Sequence, residues 1–136
     1  MTLKDIANTD RTITITPTGA ATWTPGNPTY TEHPSNKVKA NGKGILLSRI
    51  SWTLAAGACV KAGYNFTGGS TLNPIDATAT KVNETNLPVW QGKPLRKDDK
   101  GNCMGIFVLI APPFTVVNCT CDFEITDAGQ SKVKGQ

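Results

Sequence analysis

Histidine occurs once in this 136-residue chain, and aromatic residues make up 7% of it. With His33 as the only imidazole, nucleophilic catalysis would need a Ser or Cys carried to it by the fold, and no nucleophile-elbow glycine pattern is present. The turn-like "TGGST" around Gly68 has neither the lysine nor the spacing of a phosphate loop. Charge of one sign is never concentrated: the net charge of +4 comes from lysines spread along the chain, without an arginine-rich arm. Nucleic acid is therefore not an expected partner, since phosphate binding needs clustered cations and the few aromatics are not interleaved with the basic residues. Long apolar runs are also missing. The most apolar stretch, "MGIFVLIAPPFTVV", falls short of the ~20 residues of a membrane span and is broken by Pro112 and Pro113. The opening "MTLKDIANTD" has no apolar core behind a basic region, so the expectation is synthesis in the cytoplasm. Three N-x-[ST] matches, at Asn65, Asn83 and Asn118, then reflect the abundance of Asn and Thr.

What is abundant is the vocabulary of strands and turns. Hydrophobic residues are 38% and charged residues 18%, and much of the rest is Thr, Asn, Gly, Pro and Ser, which predicts an all-β fold in a single domain over residues 1–136. In "RTITITPTG" Ile13 and Ile15 alternate with Thr12, Thr14 and Thr16, the period-two pattern of a strand with one buried face. "AATWTPGNPTYTEHPSN" holds three prolines and predicts an extended arm rather than a helix. From Asn36 on, short apolar runs alternate with Gly and Asn. "LLSRISWTLAAGACVKAG" could be argued as a helix, but its β-branched and aromatic residues favour a strand. At most one short helical turn is expected.

The same words recur. Lys37-Val38 stands as far before Cys59 as Lys81-Val82 stands before Cys103, and the tail "SKVKG" at Ser131 echoes "SNKVKANG" at Ser35. A second register aligns Gly42-Lys43 with Gly92-Lys93. A period of tens of residues points to stacked or pseudo-symmetric units.

On these residues "GKPLRKDDKGNC" resembles the signature of PAAR-repeat proteins, in which Gly-x-Pro leads into Ala-Ala-Arg, an acidic turn and a downstream cysteine. Gly92, Pro94 and Arg96 keep that frame, Leu95 stands where two alanines are usual, and Asp98 lies in the acidic turn. "SNKVKANGKGILL" with "GACVKAG" looks like an earlier copy, and "CDFEITDAGQSKVKGQ" is similar to the closing strands of PAAR-like proteins. The resemblance covers residues 35–136. It implies a small conical fold of short strands in pseudo-three-fold repeats, with residues 1–34 as an N-terminal strand and Pro-rich arm outside them. Implied with it is a non-enzymatic tip, one per particle, that caps a homotrimeric β-helical spike protein of a contractile injection machine, such as a type VI secretion system or a phage tail. Such a tip meets the target membrane mechanically, with no small-molecule substrate. Residues 45–47 and 107–110, with Trp90, are the candidates for base and core packing.

Family members hold a metal near the apex with three histidines and one cysteine, a ligand set that one histidine cannot supply. The candidates here are Cys59, Cys103, Cys119, Cys121 and His33, holding one Zn or Fe ion. Cys119-x-Cys121 puts two thiols on one strand face. Buried free thiols weigh as much as a metal, since no pair has the C-x₂-C spacing of a zinc knuckle, and a disulfide ranks last in a reducing compartment. His33, beside Pro34, also reads as a solvent-exposed loop residue. Asp122 and Glu124 share a strand face and could form an acid/base pair, but exposed charges that guard an edge strand are the stronger reading. The rival function, from another class, is a decoration or cement protein of a virus capsid with a β-sandwich or β-tulip fold, its arm laid over neighbouring subunits.

Overall fold

The computed structural model describes residues 3–18, 23–79 and 93–136. Trp90, Lys81, Val82, Asn83 and Gly92 lie outside the described residues. The described residues contain no helix. Eleven strands lie among the described residues: β1 (Lys4–Asp5), β2 (Thr12–Pro17), β3 (Thr29–Thr31), β4 (Pro34–Ala40), β5 (Lys43–Leu46), β6 (Arg49–Leu54), β7 (Tyr64–Asn73), β8 (Ile75–Asp76), β9 (Lys100–Leu109), β10 (Val116–Asp127) and β11 (Lys134–Gly135).

One antiparallel sheet carries the core, in the order β2-β10-β9-β7-β6-β3, with β8 also on β6. Alternation sets its inner face. Along β10, Cys119, Cys121, Phe123 and Ile125 are buried while the residues between them face outward. On β2, Ile13 and Ile15 pack against the core and the threonines are exposed. β6 buries Ile50, Trp52 and Leu54, so the stretch with helical appearance is a strand. Phe107 sits at the centre, with the Trp23 ring edge-on at 5.7 Å and the Phe66 ring at 5.1 Å. Two glycines make room for these rings: a Cβ at Gly69 would stand 2.7 Å from Trp52, and one at Gly105 would stand 2.7 Å from Phe66.

The ends of the sheet are clamped together. Arg11, just before β2, pairs with Glu32, just after β3, through an Nε to Oε1 hydrogen bond of 2.6 Å, and its guanidinium lies 5.3 Å from the centre of the Tyr30 ring. Burial pushes the Tyr30 phenol up to about 12, with Arg11 pulling the other way and Glu32 adding to the rise. The Pro-rich arm packs on this same body: Trp23 is buried, and Thr24 and Val60 exchange both backbone hydrogen bonds, at 2.8 and 3.0 Å.

At one end of the sheet three short segments close into a triangle. The Ala7 N–H donates to the Leu95 carbonyl at 2.8 Å, Leu95 N–H to Leu46 at 2.8 Å, and Leu46 N–H to Ala7 at 2.9 Å. Flanking residues pair in the same rotation: Ile6 with Arg96, Leu47 with Pro94, and Asn8 with Ile45. A ring of strands leaves no free edge at this level. Ala7, Leu46 and Leu95 are fully buried in the main core. On the other side of the triangle Ile6, Ile45 and Leu47 form a small second cluster with Ala40.

Two sides of the triangle are built alike. β4 turns into β5 through Asn41 (φ 53°) and Gly42 (φ 80°), a pair suited to a two-residue hairpin loop. The other side comes from both chain ends: β11 pairs with β1, matching Lys134 with Asp5 and Gly135 with Lys4. Ser35 Oγ accepts the N–H groups of Lys37 and Val38 at 3.1 and 3.0 Å, and Gln130 Oε1 accepts those of Lys132 and Val133 at 2.7 and 2.8 Å. Leu47 N–H donates to His33 O, and Asn8 N–H donates to Ala128 O, both at 2.9 Å. The amino terminus, expected to lie outside the repeats, therefore forms a side of the triangle and completes the motif that begins at Ser131. The spacing to Cys59 and Cys103 is not the structural match, because Cys103 lies within β9 and Cys59 in the connection after β6. Hydrogen bonding instead matches Leu46 with Leu95, one residue from the register that aligns Gly42 with Gly92.

Away from the triangle the sheet narrows. β2 stops opposite Cys121, and β6 pairs with β7 only as far as Leu54 and Gly69. β7, β9 and β10 run on as named strands, pairing as far as Tyr64 with Leu109 and Val108 with Val116, while single hydrogen bonds from Thr18 to Thr120 and from Gly57 to Phe66 extend the flanks. The ten residues of β9 carry the chain about 30 Å from the triangle to this tip.

Candidate functional site

The triangle's outer end is the most specific chemical feature of the molecule. Val38, in the β4–β5 hairpin, and Val133, beside the β1–β11 pair, occupy matching places and are 41% and 38% exposed, each between two lysines: Lys37 and Lys39, and Lys132 and Lys134. Lys43 extends the basic surface. Two carboxylates on this side, Asp5 and Asp98, are engaged, with Lys134 at 2.5 Å and Lys4 at 3.8 Å. Lysines that are scattered in sequence are thus gathered at one end.

Behind this surface lies a polar latch in which Arg96 and Asp99 are buried. Thr78 Oγ1 accepts from Arg96 Nη2 at 2.7 Å and donates to Asp99 Oδ1, while Asp99 Oδ2 accepts the Arg96 N–H at 2.8 Å. Arg96 Nη1 donates to the Gly135 carbonyl at 3.2 Å, tying the third side of the triangle to β11. Burial holds the Asp99 carboxyl above the ordinary value of 3.8, opposed by the Thr78 hydroxyl, the Arg96 N–H and the Arg96 charge. Arg96, singled out in the sequence by its place after Pro94, is thus a bracing residue. Thr78 and Asp99 carried no sequence signal of their own.

The five candidate metal ligands are not brought together. Cys103 and Cys121 face each other directly across β9 and β10, with Cα atoms 4.9 Å apart, and are joined as a disulfide. That pairing, ranked last from the sequence, follows from a register that spacing along the chain does not reveal. Cys119 shares the inner face of β10 with Cys121, as its spacing predicts, and is a buried free thiol. Cys59 is the other, and burial pushes its thiol up, against the pull of a hydrogen bond from the Gly26 backbone. A Cβ at Gly26 would sit 2.0 Å from the Ala58 carbonyl oxygen, so the arm lies against this corner. His33 is exposed, and its carbonyl rather than its imidazole is engaged. Among the described residues no group of three His, Cys, Asp or Glu is placed to hold a metal ion.

Asp122 and Glu124 do share a face of β10, but that strand is interior, flanked by β2 and β9, so they guard no edge. Asp122 accepts a hydrogen bond from Asn102 at 2.7 Å. Residues 45–47 pack at the triangle as expected, whereas 107–110 lead away from it: Phe107 is in the core and Ile110 is exposed at the far tip. No family model, no curated protein and no solved structure matches this chain.

Proposed function

We propose that this protein is a non-enzymatic structural cap, a PAAR-like tip that seats on the end of a homotrimeric β-helical spike of a contractile injection machine and sharpens it for membrane puncture. The closed triangle around Ala7, Leu46 and Leu95 carries this reading. A homotrimer ends in three equivalent surfaces, and one chain can satisfy all three only by presenting three similar surfaces itself. Val38 and Val133, each flanked by lysines, supply two such elements. Their charge suits a trimer whose end is acidic. The long β7, β9 and β10 strands, which run out from the triangle to a single turn, suit a tip that concentrates force.

Native mass spectrometry of the protein mixed with homotrimeric β-helical spike ends tests this directly, together with gold labelling of particles in electron micrographs. One chain per trimer and one label at the spike point are expected, with V38D/V133D losing the complex. Label distributed in many symmetric copies over a capsid shell would overturn the cap in favour of a decoration protein.

A further inference from the structure

The end opposite the triangle has its own chemistry. Between Lys100 and Asp122 the sequence carries no charged side chain, and the β9–β10 turn lies in the middle of that run. Ile110 and Phe114 are each 56% exposed and Val116, which opens β10, is 61% exposed, so three large apolar side chains stand exposed at and beside one turn. Isolated exposed apolar residues are ordinary, but a cluster on a turn is not. The backbone there makes few demands on solvent. The N–H groups of Leu109, Ile110 and Phe114 are taken by the carbonyls of Thr115, Gly63 and Ala111, at 2.9, 3.1 and 3.0 Å. Pro112 and Pro113 have no N–H to satisfy.

That combination suits hydrocarbon better than a protein groove. Entry into lipid is opposed mainly by unpaired backbone donors and by charge, and this turn is poor in both. A partner protein would need polar features to orient against, and the turn's side chains provide only the Thr115 hydroxyl. Beside it, the Lys61 ammonium lies 5.2 Å from the centre of the Tyr64 ring, a cation and a phenol of the kind that sit at headgroup level.

We propose that residues 110–116 form a lipid-inserting tip: Ile110, Phe114 and Val116 enter the interfacial layer of a bilayer while Lys61 and Tyr64 rest at the headgroups. This deepens the proposed cap by naming what its far end touches, and it rests on that reading for its biological setting. The binding itself requires no spike.

Flotation of the full chain with phosphatidylcholine vesicles, with and without an equimolar share of phosphatidylglycerol, is the test. Neutral vesicles exclude electrostatic attachment through the lysine-rich end. Wild-type protein is expected to float with both. F114N should lower the bound fraction about tenfold, the scale of one lost apolar anchor. Phe114 has a φ of 53°, which asparagine adopts readily, so this variant keeps the turn. F114W should show blue-shifted emission on vesicles relative to wild type. The triangle variant V38D/V133D should float like wild type, so a failed cap and a failed lipid tip remain distinguishable. Wild-type protein that stays at the bottom with neutral vesicles, F114N that floats equally well, or flotation lost in V38D/V133D would each overturn the proposal. So would a Phe114-dependent dimer in solution.

Discussion

The two ends of this molecule solve the same problem of a strand terminus in opposite ways. At the triangle, backbone groups are closed in a ring, an Arg96–Thr78–Asp99 latch braces the corner, and lysines crowd the outside. At the tip, the backbone turns on two prolines, the turn itself carries no charge and apolar side chains stand in solvent. Stability should therefore reside at the triangle and in the sheet, while the tip can change with little effect on folding.

The sharpest challenge to that contrast is Asp99→Ala. It leaves the Arg96 N–H and the Thr78 hydroxyl without the carboxylate that accepts both, and chemical denaturation should show a loss of about 3 kcal/mol or more. F114N at the tip should shift the same curve by less than about 0.5 kcal/mol. Next comes the disulfide, which closes a separation of 18 residues between β9 and β10. Replacing Cys103 and Cys121 by alanine should cost about 3 kcal/mol. In unreduced, denatured protein only Cys59 and Cys119 should react with a thiol reagent, and four thiols should appear after reduction. Four thiols without reductant would contradict the pairing.

Smaller effects probe the clamp across the sheet ends. Arg11→Ala removes a partly buried ion pair and the cation over Tyr30, and should cost about 1 kcal/mol. The pH dependence at Tyr30 should be smaller still. Its folded value of about 12 lies above the ordinary 10.0, so the folded state retains the proton in that interval. Stability should be unaffected by this group below pH 10 and decline as pH rises from 10 to about 12, and Y30F should flatten that decline.

Much of the sheet was legible because burial on one face imposes a period of two. The Ile/Thr alternation of β2, the inward Cys119 and Cys121 of β10, and the Asn41-Gly42 turn all behave as their local patterns require. The triangle was legible only in part. Copies at Ser35 and Ser131 are visible as words, but the strand that completes the second lies at the other terminus, where residues 5–8 are too short to show any period. Trp90 and Val82, also singled out in the sequence, lie outside the described residues.

The cysteines and lysines show where sequence reasoning stops. Spacing along one strand decides which thiols share a face, but which thiol meets another depends on the register between β9 and β10. Likewise, lysines at 37, 39, 43, 132 and 134 look dispersed until the triangle sets the β4–β5 hairpin and the β1–β11 pair on neighbouring sides. By itself the sequence determined the strands, the turns and the absence of any charge from the tip, because these follow from interactions between residues close in the chain. The closed triangle, the disulfide and the opposition of a basic end to an apolar one were decided by tertiary structure, since each depends on contacts between residues that the chain holds far apart.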